Sequence, residues 1–326
     1  MLLRNRLGCL RLLGILAMEP IELRPLQPPD RFEAAELICV STNVWYQTHG
    51  RPPIFPGGPA TTEVFFDVYQ DLDPGCGVVA VHRRSGRMAG LCFVHPRPTH
   101  VSLGIMNVHP NYFGCGVARA LLQHIIEFAD RQGKPLRLVS SAMNLDSFSL
   151  YTRAGFVPQT PYQDMFLKVP EAGLPFRSGH EGRIRQATPA DVPRIAALEE
   201  EIAGIRRDQD FAYFVENRAG YWHLSVYENT QGELEGFMAS CGHPGCNMIG
   251  PGAARQPEQA AALVLAEADR HRGRSPVFLV PMQCAPLVRQ MYAWGARNCE
   301  THVSQVRGPA RPLSGVHMPT FLPESS

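Results

Sequence analysis

The sequence has no long apolar run, no excess of one charge and no paired-cysteine motif. Lysine and arginine together number 31 against 30 aspartates and glutamates, a net charge of +1 over 326 residues. A dedicated nucleic-acid binder usually carries a basic face, and none is expected here; Arg206-Arg207 and the basic stretch 270–274 read as solvated surface charge. The nine cysteines are odd in number, lack any CxxC and fall partly inside apolar runs such as 89–94. That pattern predicts reduced, buried thiols in a cytoplasmic protein rather than a disulfide framework. GxSxG, HExxH and Walker-type loops are all missing, which removes the commonest hydrolase, metalloprotease and P-loop readings. Cys241-x-His243-x-x-Cys246 offers three zinc donors but no fourth at an obvious spacing, and Gly242, Pro244 and Gly245 suit a loop, so no metal is expected. In residues 1–17, Arg4 and Arg6 precede a leucine-rich run that Arg11 interrupts; it is too short and too charged to span a bilayer. The stretch reads as an extension ahead of a domain opening at Met18, and no membrane partner is expected.

What the sequence does contain is an ordinary globular balance, 44% apolar and 19% charged, in a length that suits two domains. Residues 21–26 alternate like a strand, and Pro28-Pro29-Asp30 signals a helix start. A loop at 51–59 and a helix at 63–72 follow. Strands are predicted at 78–81 and 88–94 around the turn Arg83-Arg84-Ser85-Gly86-Arg87. Further along come a strand at 102–108, a helix at 117–131, a strand at 136–140, a helix at 147–154 and a strand at 162–169. The Gly/Pro-rich segment 171–182 reads as a linker. After it the order restarts: Ile184-Arg185-Gln186-Ala187-Thr188-Pro189-Ala190-Asp191 mirrors Leu23-Arg24-Pro25-Leu26-Gln27-Pro28-Pro29-Asp30. This predicts an α/β (α+β) chain with domains at 18–170 and 183–308 and an irregular Pro-rich tail at 309–326.

The informative segment is Asn107-Val108-His109-Pro110-Asn111-Tyr112-Phe113-Gly114-Cys115-Gly116-Val117-Ala118, where a strand ends, a glycine-spaced loop follows and a helix opens. Glycines allow close backbone approach, so amides at the helix N-terminus can hold an anionic phosphate. Val117, Leu121, Ile125 and Ala129 form one apolar row of that helix, and Ala118, Leu122 and Ile126 its neighbour. A Gly-x-Gly alone is a weak signal; a dinucleotide site would want GxGxxG and a later acidic residue. A second element, Asn144-Leu145-Asp146-Ser147-Phe148-Ser149-Leu150-Tyr151-Thr152-Arg153-Ala154-Gly155-Phe156, follows the next strand. Together the two resemble the GNAT (GCN5-related N-acetyltransferase) superfamily. Its loop pattern is matched at Pro110, Tyr112, Gly114, Gly116 and Ala118, and its later motif at Asn144, Leu150, Tyr151, Gly155 and Phe156.

The resemblance implies two GNAT-like acyl-CoA N-acyltransferase domains, each a mixed, mostly antiparallel sheet flanked by helices. It implies acetyl-CoA as cosubstrate, with the amides of Phe113, Gly114, Cys115, Gly116, Val117 and Ala118 cradling its pyrophosphate. Asn107 and Val108 would pair with the pantetheine arm, Asn144 would bond it from the other side, and Tyr151 would protonate the departing thiolate. A tyrosine simply packed on a helix face is the other reading of Tyr151. The acceptor implied is a small-molecule or peptide amine; another acyl group, a hydroxyl acceptor, or a non-catalytic acyl-CoA-binding role also fits, as does a homodimer. Phe113 stands where the family has Arg or Gln, removing one side-chain phosphate contact. The strand 102–108 supplies no Asp or Glu as general base, and His95, His100 and His109 are the titratable groups nearby. In the second half, Asn247-Met248-Ile249-Gly250-Pro251-Gly252-Ala253-Ala254 is similar to a degraded strand and loop. Met291-Tyr292-Ala293-Trp294-Gly295-Ala296 is similar to the later motif with its tyrosine one residue too close to the glycine. A diverged second repeat is therefore expected.

Overall fold

A computed structural model describes residues 21–324; the expected extension at 1–17 lies outside them. The first half runs β1 (Ile21–Pro25), α1 (Arg31–Thr48), α2 (Pro59–Leu72), β2 (Val78–His82), β3 (Met88–Pro96), β4 (Val101–Val108), α3 (Val117–Arg131), β5 (Leu136–Ser141), α4 (Leu145–Arg153) and β6 (Val157–Phe166). The second runs β7 (Ile184–Gln186), α5 (Val192–Ala203), α6 (Asp208–Glu216), β8 (Trp222–Glu228), β9 (Leu234–His243), β10 (Cys246–Ala254), α7 (Pro257–Ala268), β11 (Val277–Pro281), α8 (Ala285–Ala293), β12 (Arg297–Arg307) and β13 (Val316–Met318). The structure is thus α/β with a mostly antiparallel sheet and flanking helices. Among the described residues no helix is long and apolar enough to cross a membrane.

The two openings are built alike. Arg24 forks onto Asp30 at 2.7 and 2.8 Å, and Arg185 forks onto Asp191 at the same two distances. Each aspartate also accepts the backbone N–H three residues before it, from Gln27 or Thr188 at 2.8 Å. A bidentate pair thereby fixes the strand against the start of the helix that follows it. Helix α2 starts at Pro59, four residues earlier than the sequence pattern suggests, because a proline suits the first helical position. The charged run Arg206-Arg207-Asp208-Gln209 leads into α6 rather than a surface loop, and Arg207 is buried.

The strands form one 13-stranded sheet in the order β1-β2-β3-β4-β5-β12-β6-β11-β10-β9-β8-β7, with β13 on β10. The halves exchange their last strands. β12, from the second half, lies between β5 and β6, and β6, from the first, lies against β11. The exchange extends β6 back to Val157, five residues earlier than expected, since β12 offers it a long antiparallel partner.

Parallel neighbours β4 and β5 pair only at Val101↔Leu136 and Ser102↔Arg137. β4 then carries a bulge: Cys92 faces Met106 while Val94 faces Leu103, so Gly104 and Ile105 stand against a single residue of β3. A bulge bends a strand out of register, and the rest of β4, to Val108, pairs with β3 alone. A wedge opens between β4 and β5. The second half repeats the device: β10 meets β11 only at Met248↔Val277 and bulges at Gly250 and Pro251.

There, however, the tail fills the wedge. β13 runs antiparallel along β10 through Gly252↔Met318, Ala253↔His317 and Ala254↔Val316. Val316, His317 and Met318 are all buried. The expectation of an irregular tail is corrected: a strand edge freed inside the fold needs backbone partners, and the tail supplies them.

A buried chain of charges ties the halves across the sheet. Arg97 spans Asp73 at 2.7 Å and Asp210 at 2.5 Å, Arg207 spans Asp210 at 3.6 Å and Glu199 at 2.5 Å, and His317 lies 3.7 Å from Glu199. Removing one partner of a buried pair leaves the others uncompensated. Arg97→Ala is expected to lower unfolding stability by about 3–5 kcal/mol, read by urea denaturation, within a single transition for both halves because they share strands.

Candidate active site

The segment 109–118 sits where the β4 edge leaves the wedge. His109 Nδ1 accepts the Asn111 N–H at 3.2 Å and caps a short 3-10 turn over Pro110–Tyr112. The Phe113 and Cys115 N–H groups turn inward, each donating over 3.2 Å, to the carbonyls of Pro110 and Tyr112. Among the described residues no backbone bond engages the N–H groups of Gly114, Gly116, Val117 or Ala118. Gly114 and Gly116 hold φ of +78° and +83°, the left-handed conformation that turns the chain into α3. Free amides at the positive end of a 15-residue helix are groups able to hold an anion without a side-chain cation. Phe113 is half exposed and adds no donor. The apolar rows of α3 are buried against β3 and β4 and hold the helix in place.

Asn107 and Val108 end the freed part of β4. Asn107 turns toward α1, its amide 3.4 Å from the Thr42 hydroxyl, while Val108 and Met106 pack on the α3 side. Across the wedge, the Asn144 carbonyl oxygen accepts the Ser147 N–H at 3.1 Å and caps α4. Its NH₂ group is therefore the part of Asn144 able to donate to a ligand. Tyr151 is buried in the same cluster as α3, with its ring 5.7 Å from that of Phe156. Burial holds its phenol proton well above the ordinary tyrosine range, the state a proton donor needs.

The three histidines near the wedge go separate ways. His100 is buried at the closed end of the β3–β4 hairpin, where burial and the Arg137 charge push its pKa well down. His109 is the cap just described. His95 meets Asp73 at 2.5 Å through Nδ1, and burial lowers its pKa against the pull of that carboxylate. Its Nε2 lies 4.0 Å from Glu324, a residue on the tail. Glu324 accepts the Tyr69 hydroxyl, and that hydroxyl in turn takes the Ile105 N–H of the β4 bulge at 3.4 Å. The sequence reading missed Glu324 because nothing in a Pro-rich tail marks a residue that folds back into the first half.

A second cluster was also missed. Asp164 on β6 and Glu300 and His302 on β12 are all buried, with ligand-type atoms within 4.8 Å of one another. They come together only through the strand exchange, which no local motif signals; the one local trace is the alternation of Glu300, His302 and Ser304 along one strand face. The Cys241/His243/Cys246 set does not gather in this way. Across the β9–β10 hairpin Cys246 is paired with His243 and Cys241 with Met248, the two thiols touching diagonally, while the His243 ring accepts the Gly245 N–H at 3.0 Å and packs on Tyr221.

The second half lacks the matching site. β10 continues as a strand through its bulge to Ala254, where a degraded phosphate loop was expected, and only Arg255 and Gln256 separate it from α7. Gln256 and Gln259 form a capping box over the first turn of that helix. Tyr292 is exposed and donates to Gln163 at 2.7 Å rather than entering the core.

Burial pushes the Glu324 carboxyl up to about 8. A carboxyl raised on folding contributes stability that is fully present below its unfolded pKa near 4.5 and is lost as pH rises through 8. Glu324→Gln should therefore match the parent at pH 5 and melt several degrees higher at pH 9. Thermal unfolding at the two pH values checks this; equal melting curves at pH 9 would contradict it.

Residues 43–156 match the acetyltransferase (GNAT) family. A curated relative, UPF0157 protein YqkA of Bacillus subtilis, is 29% identical over 102 residues, a match that spans 31% of this chain and only 28% of that protein. The fold as a whole is similar to a protein assigned as an acetyltransferase from Pyrococcus horikoshii, at 15% identity and a TM-score of 0.71 over 95% of both chains. It is also similar to a GCN5-related N-acetyltransferase from Sphaerobacter thermophilus (21% identity, TM-score 0.61, 90% of this chain and 98% of that one). A tandem GNAT protein from the clavulanic acid biosynthesis pathway aligns at 17% identity and a TM-score of 0.57 over 90% of this chain and all of that one. Residues 43–156 are thus similar to the acetyltransferase (GNAT) family, and the chain as a whole shares its fold with a two-repeat protein of that kind.

Proposed function

We infer that the protein is an acetyl-CoA-dependent N-acetyltransferase with a single active site, in its first half. The observation that carries this reading is the asymmetry of the two wedges: β4/β5 is open beside a loop of unengaged amides, and β10/β11 is filled by the chain's own β13. The pyrophosphate of acetyl-CoA would sit on the amides of Gly114, Gly116, Val117 and Ala118. Those of Phe113 and Cys115, already used inside the loop, would shape it instead. The pantetheine arm would complete the free edge of β4 near Asn107 and Val108, in the position that β13 takes on β10, with the Asn144 amide on its other side.

The acceptor is a primary amine, which attacks the thioester carbonyl as it loses a proton. The C–N bond forms, the C–S bond breaks, the amine's proton passes to water, and the leaving thiolate takes the proton of the Tyr151 hydroxyl, which solvent then restores. Transfer is read as direct, from the thioester to the amine, with no covalent acyl-enzyme invoked. The nine cysteines without a CxxC, several of them buried, support a cytoplasmic setting.

Isothermal titration with acetyl-CoA, followed by thiol release over an amine panel, tests the reading; lack of binding, or binding without release on any amine, contradicts it. Gly116→Ala should weaken acetyl-CoA binding by roughly tenfold, because a left-handed conformation costs alanine about 1–2 kcal/mol although nothing lies within 4 Å of the added methyl. Tyr151→Phe should lower kcat by about 10²-fold with acetyl-CoA binding unchanged. Full turnover in that variant, with chemistry limiting the rate, would show that another group protonates the thiolate.

A further inference from the structure

The acceptor side of the wedge can be located from α1. Thr42 and Tyr46 lie one helical turn apart on one face of that helix. Thr42 meets Asn107 at the end of β4, at 3.4 Å, and Tyr46 donates to Glu300 at 2.6 Å. Glu300 also accepts the hydroxyl of Ser141, the last residue of β5. This face of α1 therefore bridges the wedge at its open end, with Asn107 on one bank and Ser141 and Glu300 on the other.

Behind Glu300 lie His302 and Asp164. His302 Nδ1 is 3.0 Å from Asp164 and Nε2 is 4.0 Å from Glu300. Burial works against the imidazolium, but the charges of Asp164 and Glu300 outweigh it and raise the His302 pKa. Two acidic side chains thus share the buried cluster with a single imidazole. Among the described residues no lysine or arginine pairs with Asp164 or Glu300: Arg51 bonds the Cys299 carbonyl and the Met143 sulfur. Asp164 Oδ1 is buried with no hydrogen-bond partner, as an acceptor waiting for a donor would be. A buried acceptor without a donor is costly, and a buried negative charge is costly without a counter-charge. A ligand ammonium supplies both the donors and the charge.

We propose that Asp164, Glu300 and His302 form the subsite that receives the acceptor's ammonium group, next to the thioester position between Asn107 and Ser141. This rests on the reading of the first half as an acetyltransferase. It goes further in naming the acceptor as a cationic primary amine and in assigning its recognition to a strand of the second half, since Glu300 and His302 both lie on β12. The second half, its own wedge filled, then serves the reaction by completing the acceptor site. Both Glu300 oxygens already accept hydroxyl protons from Tyr46 and Ser141, which fixes the orientation of the carboxylate.

The test uses the full chain saturated with CoA and a panel of butylamine, tyramine, glucosamine and spermidine, each with its hydroxyl counterpart, read by ligand-observed NMR and calorimetry. At least one amine is expected to bind where its hydroxyl counterpart does not. Glu300→Gln and Asp164→Asn should each weaken that amine at least tenfold while the CoA affinity, which also reports a folded chain, stays within about twofold. Amines that bind both variants as well as the parent would overturn the proposal, as would an amine panel that fails to bind the parent. One divalent metal ion per chain, lost in both variants, would overturn it too by making the cluster a metal site. Failure of CoA itself to bind would instead refute the acetyltransferase reading, so the two failures are told apart in one series.

Discussion

The constraint on which this architecture depends is the exchange of the terminal strands. β12 fills the place beside β5, and β6 fills the place beside β11. Each half leaves a strand position open that only the other can close, and an unpaired edge in the middle of a sheet would strand a row of backbone donors and acceptors. The exchange therefore joins the two repeats into one hydrogen-bonded sheet. It also carries polar side chains of the second half to the margin of the first half's wedge, which neither repeat could do alone.

The tail adds a second coupling. β13 closes the wedge of the second half, and the chain then continues into the first, where Phe321 packs against His302 at 4.6 Å and Glu324 meets Tyr69. One segment thus blocks one cleft and borders the other. The buried ion pairs through Arg97 and Arg207 lie between its two ends, from His317 to His95. Such pairs add little net stability compared with apolar packing but penalise any arrangement that separates their members, so they favour one relative placement of the halves.

Much of the first half was legible because its signals are local. The Gly114/Gly116 loop, the apolar rows of α3 and the capping residue Asn144 each act within a few residues of their own position, and sequence spacing reports them directly. The Arg24–Asp30 and Arg185–Asp191 pairs made the repeat visible for the same reason. What stayed hidden depends on contacts between distant parts of the chain. Glu300 and Asp164 are 136 positions apart, and only the register of β12 against β6 puts them opposite each other. Glu324 reaches Tyr69 only because the tail has an edge to pair with on the way. The bulges at Gly104 and Gly250 were likewise unreadable, since a glycine in a strand marks a bulge only once its neighbours are known.

The central claim is that one wedge is a cosubstrate cleft and the other, built alike, is closed by the protein itself. Amide hydrogen exchange with and without acetyl-CoA tests that claim most directly. The account predicts added protection over residues 106–119 and none over residues 250–260. Protection of the second segment, or of neither, would contradict it.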